Sequence, residues 1–95
     1  MEPGQIARHL QITGRVQRVG FRASMVQAAA ALRVSGWVRN RSDGSVEALV
    51  QGSPAQVEQM IAWARQGPIR ARVDGVDVTH AEVGDFTDFR QRETA

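Results

Sequence analysis

Along this chain the apolar residues change period from two to helical and back, and the resulting order, strand, helix, strand, strand, helix, strand, constrains the fold more tightly than any other feature. Around Gln5 to Thr13, Ile6, Leu10 and Ile12 share one parity while Ala7, His9 and Gln11 take the other, as in a half-buried strand, with Arg8 interrupting the apolar face. From Phe21 to Val34, the residues Phe21, Met25, Ala28, Ala29 and Leu32 recur at helical spacing, and the alanine run has high helix propensity. Ser35 and Gly36 then break the helix. Trp37 to Arg41 reads as a second strand running into a turn at Ser42-Asp43-Gly44. The return strand, Ser45 to Gln51, puts Val46, Ala48 and Val50 on one face and Glu47, Leu49 and Gln51 on the other.

The second helix carries the clearest start signal: Ser53 as N-cap, Pro54 at the first helical position and Gln56 completing a capping box. Val57, Met60, Ile61 and Ala64 form its apolar stripe, and Gly67-Pro68 stops it. A fourth strand lies within Arg70 to His80, supported by Val76 and Val78, and a fifth within Phe86 to Arg90. This order is that of the split βαβ or ferredoxin-like α/β sandwich, an α+β fold with two helices on one face of a mostly antiparallel sheet of four to five strands. A right-handed helical crossover makes the first and second strands parallel, with the third antiparallel between them. The loop from Gly14 to Gly20 and the residue Asn40 then become neighbours at one edge of the sheet.

A length of 95 residues suits one domain, 1–95, and is too short for two. With 42% hydrophobic and 23% charged residues the chain lies in the globular range, which disfavours disorder, collagen and coiled coil. The absence of cysteine excludes disulfides and thiolate metal ligands and fits a reducing cytoplasm. Met1-Glu2-Pro3-Gly4 does not open a signal peptide, and Ala28 to Leu32 is far shorter than the roughly 20 residues of a membrane span, so a soluble protein is expected. All twelve basic residues are arginine, for a formal charge of +2. That balance suits an anionic ligand or a nucleic acid, and equally a solvated surface with no partner.

The stretch Gly14-Arg15-Val16-Gln17-Arg18-Val19-Gly20-Phe21-Arg22 leaves a strand and enters a helix, where successive backbone N–H groups and the helix dipole can hold an anion. Arg22, in the first helical turn, could grip two phosphate oxygens at once. Read as physics alone, a plain strand-to-helix loop with a solvated arginine is an equal alternative.

The run Ile12 to Arg22 resembles the first signature of the acylphosphatases, and Gly36-Trp37-Val38-Arg39-Asn40, with Asp43-Gly44-Ser45-Val46 and Gly52, resembles the second. Gly67-Pro68 followed by Ala71-Arg72-Val73 is similar to bacterial members, so the likeness covers nearly the whole chain. The resemblance implies a monomeric hydrolase that cleaves the carboxyl–phosphate bond of small acyl phosphates without metal or cofactor. It further implies that Arg22 binds the phosphate and Asn40 orients the attacking water. Backbone amides of Arg15, Val16, Gln17, Arg18, Val19 and Gly20 would surround the phosphate, a place where phosphate or sulfate would also bind. One departure stands out: the family typically has glycine where this chain has Arg18. If that position needs positive φ, arginine there costs roughly 1 kcal/mol, and a catalytically impaired anion-binding domain becomes the alternative. With an ordinary backbone, Arg18 instead adds a cation beside the anion.

His9 and His80 lie outside the loop and read as sheet-surface residues. Asp43, Asp74, Asp77, Asp85 and Asp88 form no tight metal-ligand pattern, and Asp43-Gly44 is explained by turn chemistry. Phe21 anchors the first helix, and Met25 and Met60 belong to the core. Trp37, Trp63, Phe86 and Phe89 read as packing rather than as a ligand platform. An RNA-binding ferredoxin-like module is the rival from another class. It stacks bases on exposed aromatics in its central strands, and the strands Gln5 to Thr13 and Ser45 to Gln51 contain none, so nucleic acid is not expected. A piece of a larger maturation enzyme is a further rival, against which the initial Met1 argues.

Overall fold

Alternation of apolar side chains builds β1 (Ile6–Arg15), whose Leu10 and Ile12 are completely buried. The computed structural model describes residues 4–95, so Met1, Glu2 and Pro3 of the opening segment lie outside the described residues. Six elements follow: α1 (Phe21–Leu32), β2 (Ser35–Asn40), β3 (Val46–Gly52), α2 (Pro54–Gln66), β4 (Arg72–Ala81) and β5 (Phe89–Gln91). They form one five-stranded sheet in the order β4-β1-β3-β2-β5. β3 lies antiparallel between β1 and β2, and β5 pairs parallel with β2. This is the mixed sheet with two packed helices that the periodicities predict.

Both helices bury one stripe against the same sheet face. Phe21, Met25 and Ala29 of α1 and Val57, Met60 and Ala64 of α2 join Val46, Ala48 and Val50 of β3 in one cluster. Each large side chain buried there contributes about 1.5–3 kcal/mol. The capping box of α2 is complete: Gln56 N–H donates to Ser53 Oγ at 3.2 Å, and Ser53 N–H donates to Gln56 Oε1 at 2.9 Å. On the other face, the buried Gln51 donates to Gly84 O at 2.9 Å and accepts from Gly84 N–H at 2.8 Å, so the segment before β5 folds over part of the sheet.

Several boundaries differ from the sequence expectation, each for a physical reason. β1 continues past Thr13 because its ladder with β4 resumes after a bulge at Thr13/Gly14. Gly14 sits there at φ 120°, where a Cβ would stand 2.2 Å from the Arg72 carbonyl oxygen. α1 ends at Leu32 rather than Val34, because Arg33 turns left-handed at φ 58°. Arg33 N–H then donates to Ala30 O, and Val34 N–H to Ala29 O at 2.9 Å, which closes the helix. The second strand begins at Ser35 rather than at Trp37, so Ser35 and Gly36 belong to β2. Gly36 lets the strands close so tightly that a Cβ would fall 1.9 Å from Leu49 O. Arg41 leaves the strand for the hairpin turn, donating to Ser45 O at 2.9 Å.

Candidate active site

The sheet order determines where the loop meets Asn40. Val46 of β3 pairs with Ile12 on one side and with Asn40 on the other. Ile12 and Asn40 are therefore two strand spacings apart, about 10 Å, at the same sheet edge. The loop after β1 spans that gap. Gln17 fixes it there: its side-chain amide donates to Arg41 O at 2.8 Å and to Ser45 O at 2.9 Å, tying the loop to the hairpin that begins just after Asn40.

The two helix starts differ in a way that bears on chemistry. In α2 the Ser53 hydroxyl accepts from the Gln56 N–H, whereas α1 follows Gly20 with no side-chain cap, and neither helix has an acid in its first turn. The first intrahelical bond of α1 is donated by Ser24 to Gly20 O, so the N–H groups of Phe21, Arg22 and Ala23 have no partner within the helix. They present the positive end of the helix dipole to a cavity of about 120 Å³ lined by Val16, Arg18, Gly20, Phe21, Arg22, Ala23, Asn40 and Gln91. Asn40 reaches it from β2. Its Oδ1 is buried and has no hydrogen-bond partner among the described residues.

Of the residues singled out from the sequence, the fold brings Val16, Arg18, Gly20, Arg22 and Asn40 to this one cavity. Arg15, Gln17 and Val19 do not line it: Arg15 ends β1 opposite Arg72, Gln17 faces the hairpin, and Val19 is buried in the core. Phe21, Ala23 and Gln91 line it without having been assigned to a site. Phe21 and Ala23 follow from the helix start. Gln91 arrives through the parallel pairing of β5 with β2, for which no local sequence signal exists. Arg18 does take positive φ, at 61°, in the left-handed well that non-glycine residues can occupy at modest cost.

Charges divide between the two sheet faces. Glu47 accepts from Arg39 Nε at 2.6 Å, from Arg41 Nη1 at 3.1 Å and from His9 Nε2 at 2.5 Å. Burial opposes its ionisation, yet the bonds from His9, Arg39 and Arg41 outweigh burial and hold the carboxyl down at about 2. Trp37 beside them is covered, with the guanidinium carbons of Arg39 and Arg92 each 4.9 Å from its ring centre, so it offers no stacking platform. Neither Arg18 nor Arg22 joins any ion pair among the described residues, and no carboxylate side chain lines their cavity. Among the described residues no three His, Asp or Glu side chains gather as metal ligands, and no helix is long and apolar enough to cross a membrane.

An uncapped helix start, an unpaired arginine and an orphan amide oxygen around one small cavity suit a phosphoryl group. Residues 8–91 match the acylphosphatase family model. The chain belongs to the acylphosphatase family. It is 53% identical over 89 residues to an acylphosphatase of Acidovorax sp. strain JS42, covering 94% of this chain and 92% of that relative. An acylphosphatase of Thiobacillus denitrificans is 54% identical over 84 residues, 88% of this chain and 93% of its own length. Among solved structures, an acylphosphatase from Coxiella burnetii superposes with a TM-score of 0.89 at 35% identity, over 93% of both chains. The acylphosphatase family thus accounts for the fold and for both signature stretches, from Ile12 to Arg22 and from Gly36 to Gly52.

Proposed function

We propose that this chain hydrolyses small acyl phosphates to a carboxylate and inorganic phosphate. Arg22 and the N–H groups of the cavity-lining residues from Val16 to Ala23 bind the phosphoryl oxygens, and Asn40 directs the attacking water. The observation that carries this reading is the meeting of Arg22, the uncapped start of α1 and the unpartnered Asn40 Oδ1 around one cavity of about 120 Å³.

Physical chemistry explains why so few groups suffice. The leaving group is a carboxylate whose conjugate acid has a pKa near roughly 4, so it departs without a general acid. Phosphoryl transfer then needs positioning and neutralisation of charge on the equatorial oxygens, which fixed N–H dipoles and one guanidinium supply. Asn40 cannot take a proton at neutral pH. Its Oδ1 instead accepts a hydrogen bond from water, aiming an oxygen lone pair at phosphorus, and the water's proton passes to a phosphoryl oxygen of the substrate. In this scheme the P–O bond to the acyl group breaks as the P–O bond to water forms, and no base or metal step is required. The positive φ of Arg18 favours a second reading, a binding domain with a distorted cradle. Against it, φ 61° lies within the left-handed well rather than outside it.

The cysteine-free composition fits a reducing, cytoplasmic setting. The test is hydrolysis of acetyl phosphate with and without a chelator, alongside Arg22→Ala and Asn40→Ala. Chelator-insensitive turnover is expected in the parent. Arg22→Ala should lose both turnover and the binding of inorganic phosphate measured by calorimetry, and Asn40→Ala should lose turnover while still binding inorganic phosphate. Full activity in either variant refutes the assignment. A folded but inert parent protein leaves the binding-domain reading in its place.

A further inference from the structure

We propose that Arg18 makes this site selective for acyl phosphates whose acyl group bears a second carboxylate, the monoacyl phosphates of dicarboxylic acids. The inference rests on the hydrolysis proposed above and adds a substrate class to it.

Size is the first consideration. A cavity of about 120 Å³ has room for a phosphoryl group and its attacking water, and its rim is open to solvent. With the phosphoryl group at the start of α1, the acyl part extends toward that rim. Arg18 is at that rim: it lines the cavity yet remains exposed to solvent.

Charge is the second. Glu47 occupies Arg39 and Arg41 on the far face, and Asp74 and Asp88 pair with Arg72 and Arg90. Of the eight arginines without an acidic partner among the described residues, only Arg18 and Arg22 line the cavity. Arg22, in the first turn of α1 beside the uncapped N–H groups, accounts for the phosphoryl charge. That leaves the Arg18 guanidinium, with its flat pair of donors, for another planar anion on the same substrate, and a carboxylate matches that geometry.

Backbone conformation is the third. Arg18 holds φ 61°, a conformation glycine would adopt without strain. Strain of this kind persists where the surroundings enforce it, and it clusters at binding sites. Here it falls on a residue that lines the cavity and is exposed at its rim.

The experiment compares succinyl phosphate with butanoyl phosphate, two four-carbon acyl phosphates that differ in the distal carboxylate. An exposed charge pair discriminates about two- to fivefold, so the parent should show a kcat/KM ratio of that size in favour of succinyl phosphate. Arg18→Asn tolerates the left-handed conformation and removes the charge, and it should bring the ratio to about one. Disturbance of the loop itself affects both substrates and cancels in the ratio. Arg18→Lys should keep the preference, and about 1 M salt should erase it in the parent. A parent ratio near one, or a preference that survives Arg18→Asn, overturns the proposal. If the parent cleaves neither compound, the hydrolysis reading fails and the specificity inference falls with it.

Discussion

Replacing Gln17 by leucine tests whether the two halves of the site are held together by the side chain that bridges them. Gln17 is half-buried and donates both amide hydrogens, to Arg41 O at 2.8 Å and Ser45 O at 2.9 Å. Each such bond contributes about 0.5–1.5 kcal/mol net, so Gln17→Leu should cost about 2 kcal/mol. For a domain of this size that corresponds to a fall in Tm of roughly 8–16 °C, read by circular dichroism on heating. Released from the hairpin, the loop no longer holds the phosphoryl group in line with the water at Asn40. Because a displacement of about 1 Å can cost a hundredfold in rate, kcat for acetyl phosphate should drop at least about tenfold at saturating substrate. Gln17→Glu sharpens the test, since a carboxylate would face two carbonyl oxygens. Its pKa in the folded state is raised, so the variant should gain stability relative to Gln17→Leu as pH is lowered and lose it again as pH rises through that pKa. An unchanged Tm together with an unchanged kcat in Gln17→Leu would show that the bridge holds nothing in place.

Arg33→Gly should stabilise the protein by about 0.5–1 kcal/mol, because glycine occupies the left-handed position closing α1 without steric cost; a lower denaturation midpoint would contradict this. Glu47 has its folded pKa lowered from 4.5 to about 2, so its contribution is complete above pH 4.5 and disappears as pH falls toward 2. At most that contribution is on the order of 3 kcal/mol. Glu47→Gln should flatten the pH dependence of the urea midpoint across that window, and an unaltered slope would assign the acid sensitivity elsewhere.

The elements were legible because their signals are local. The Ser53-Pro54-Gln56 start of α2 and the parity of Val46, Ala48 and Val50 are each written within a few residues, and both recur in the structure. Boundaries were less legible where a distant strand decides them. β1 reaches Arg15 because β4 pairs beyond the bulge, and Gly36 stays in β2 because of Leu49 on the neighbouring strand. Arg33 hid the end of α1, since no propensity rule places an arginine in the left-handed closing position. The same holds for the site. Arg22 and Asn40 lie in the two stretches that resemble the family's signatures, whereas Gln91 reaches the cavity only through a parallel pairing of three residues, and the direction of the Gln17 side chain depends on a turn more than twenty residues away.

A site built from main-chain donors and two side chains is only as good as the frame that fixes them, and here the frame is redundant around Asn40. β2 is paired on both sides, with β3 through Val46 and with the chain after β5 through Ala95 N–H, which donates to Asn40 O at 3.1 Å. The loop has no such ladder: it rests on Gln17, on the buried Val16 and Val19, and on the first turn of α1. In the proposed mechanism, rigidity around the water-directing Asn40 and side-chain tethers around the phosphoryl-binding loop divide the two tasks between different elements. A residue at the rim such as Arg18 can therefore change what the loop presents to the acyl group without moving Asn40.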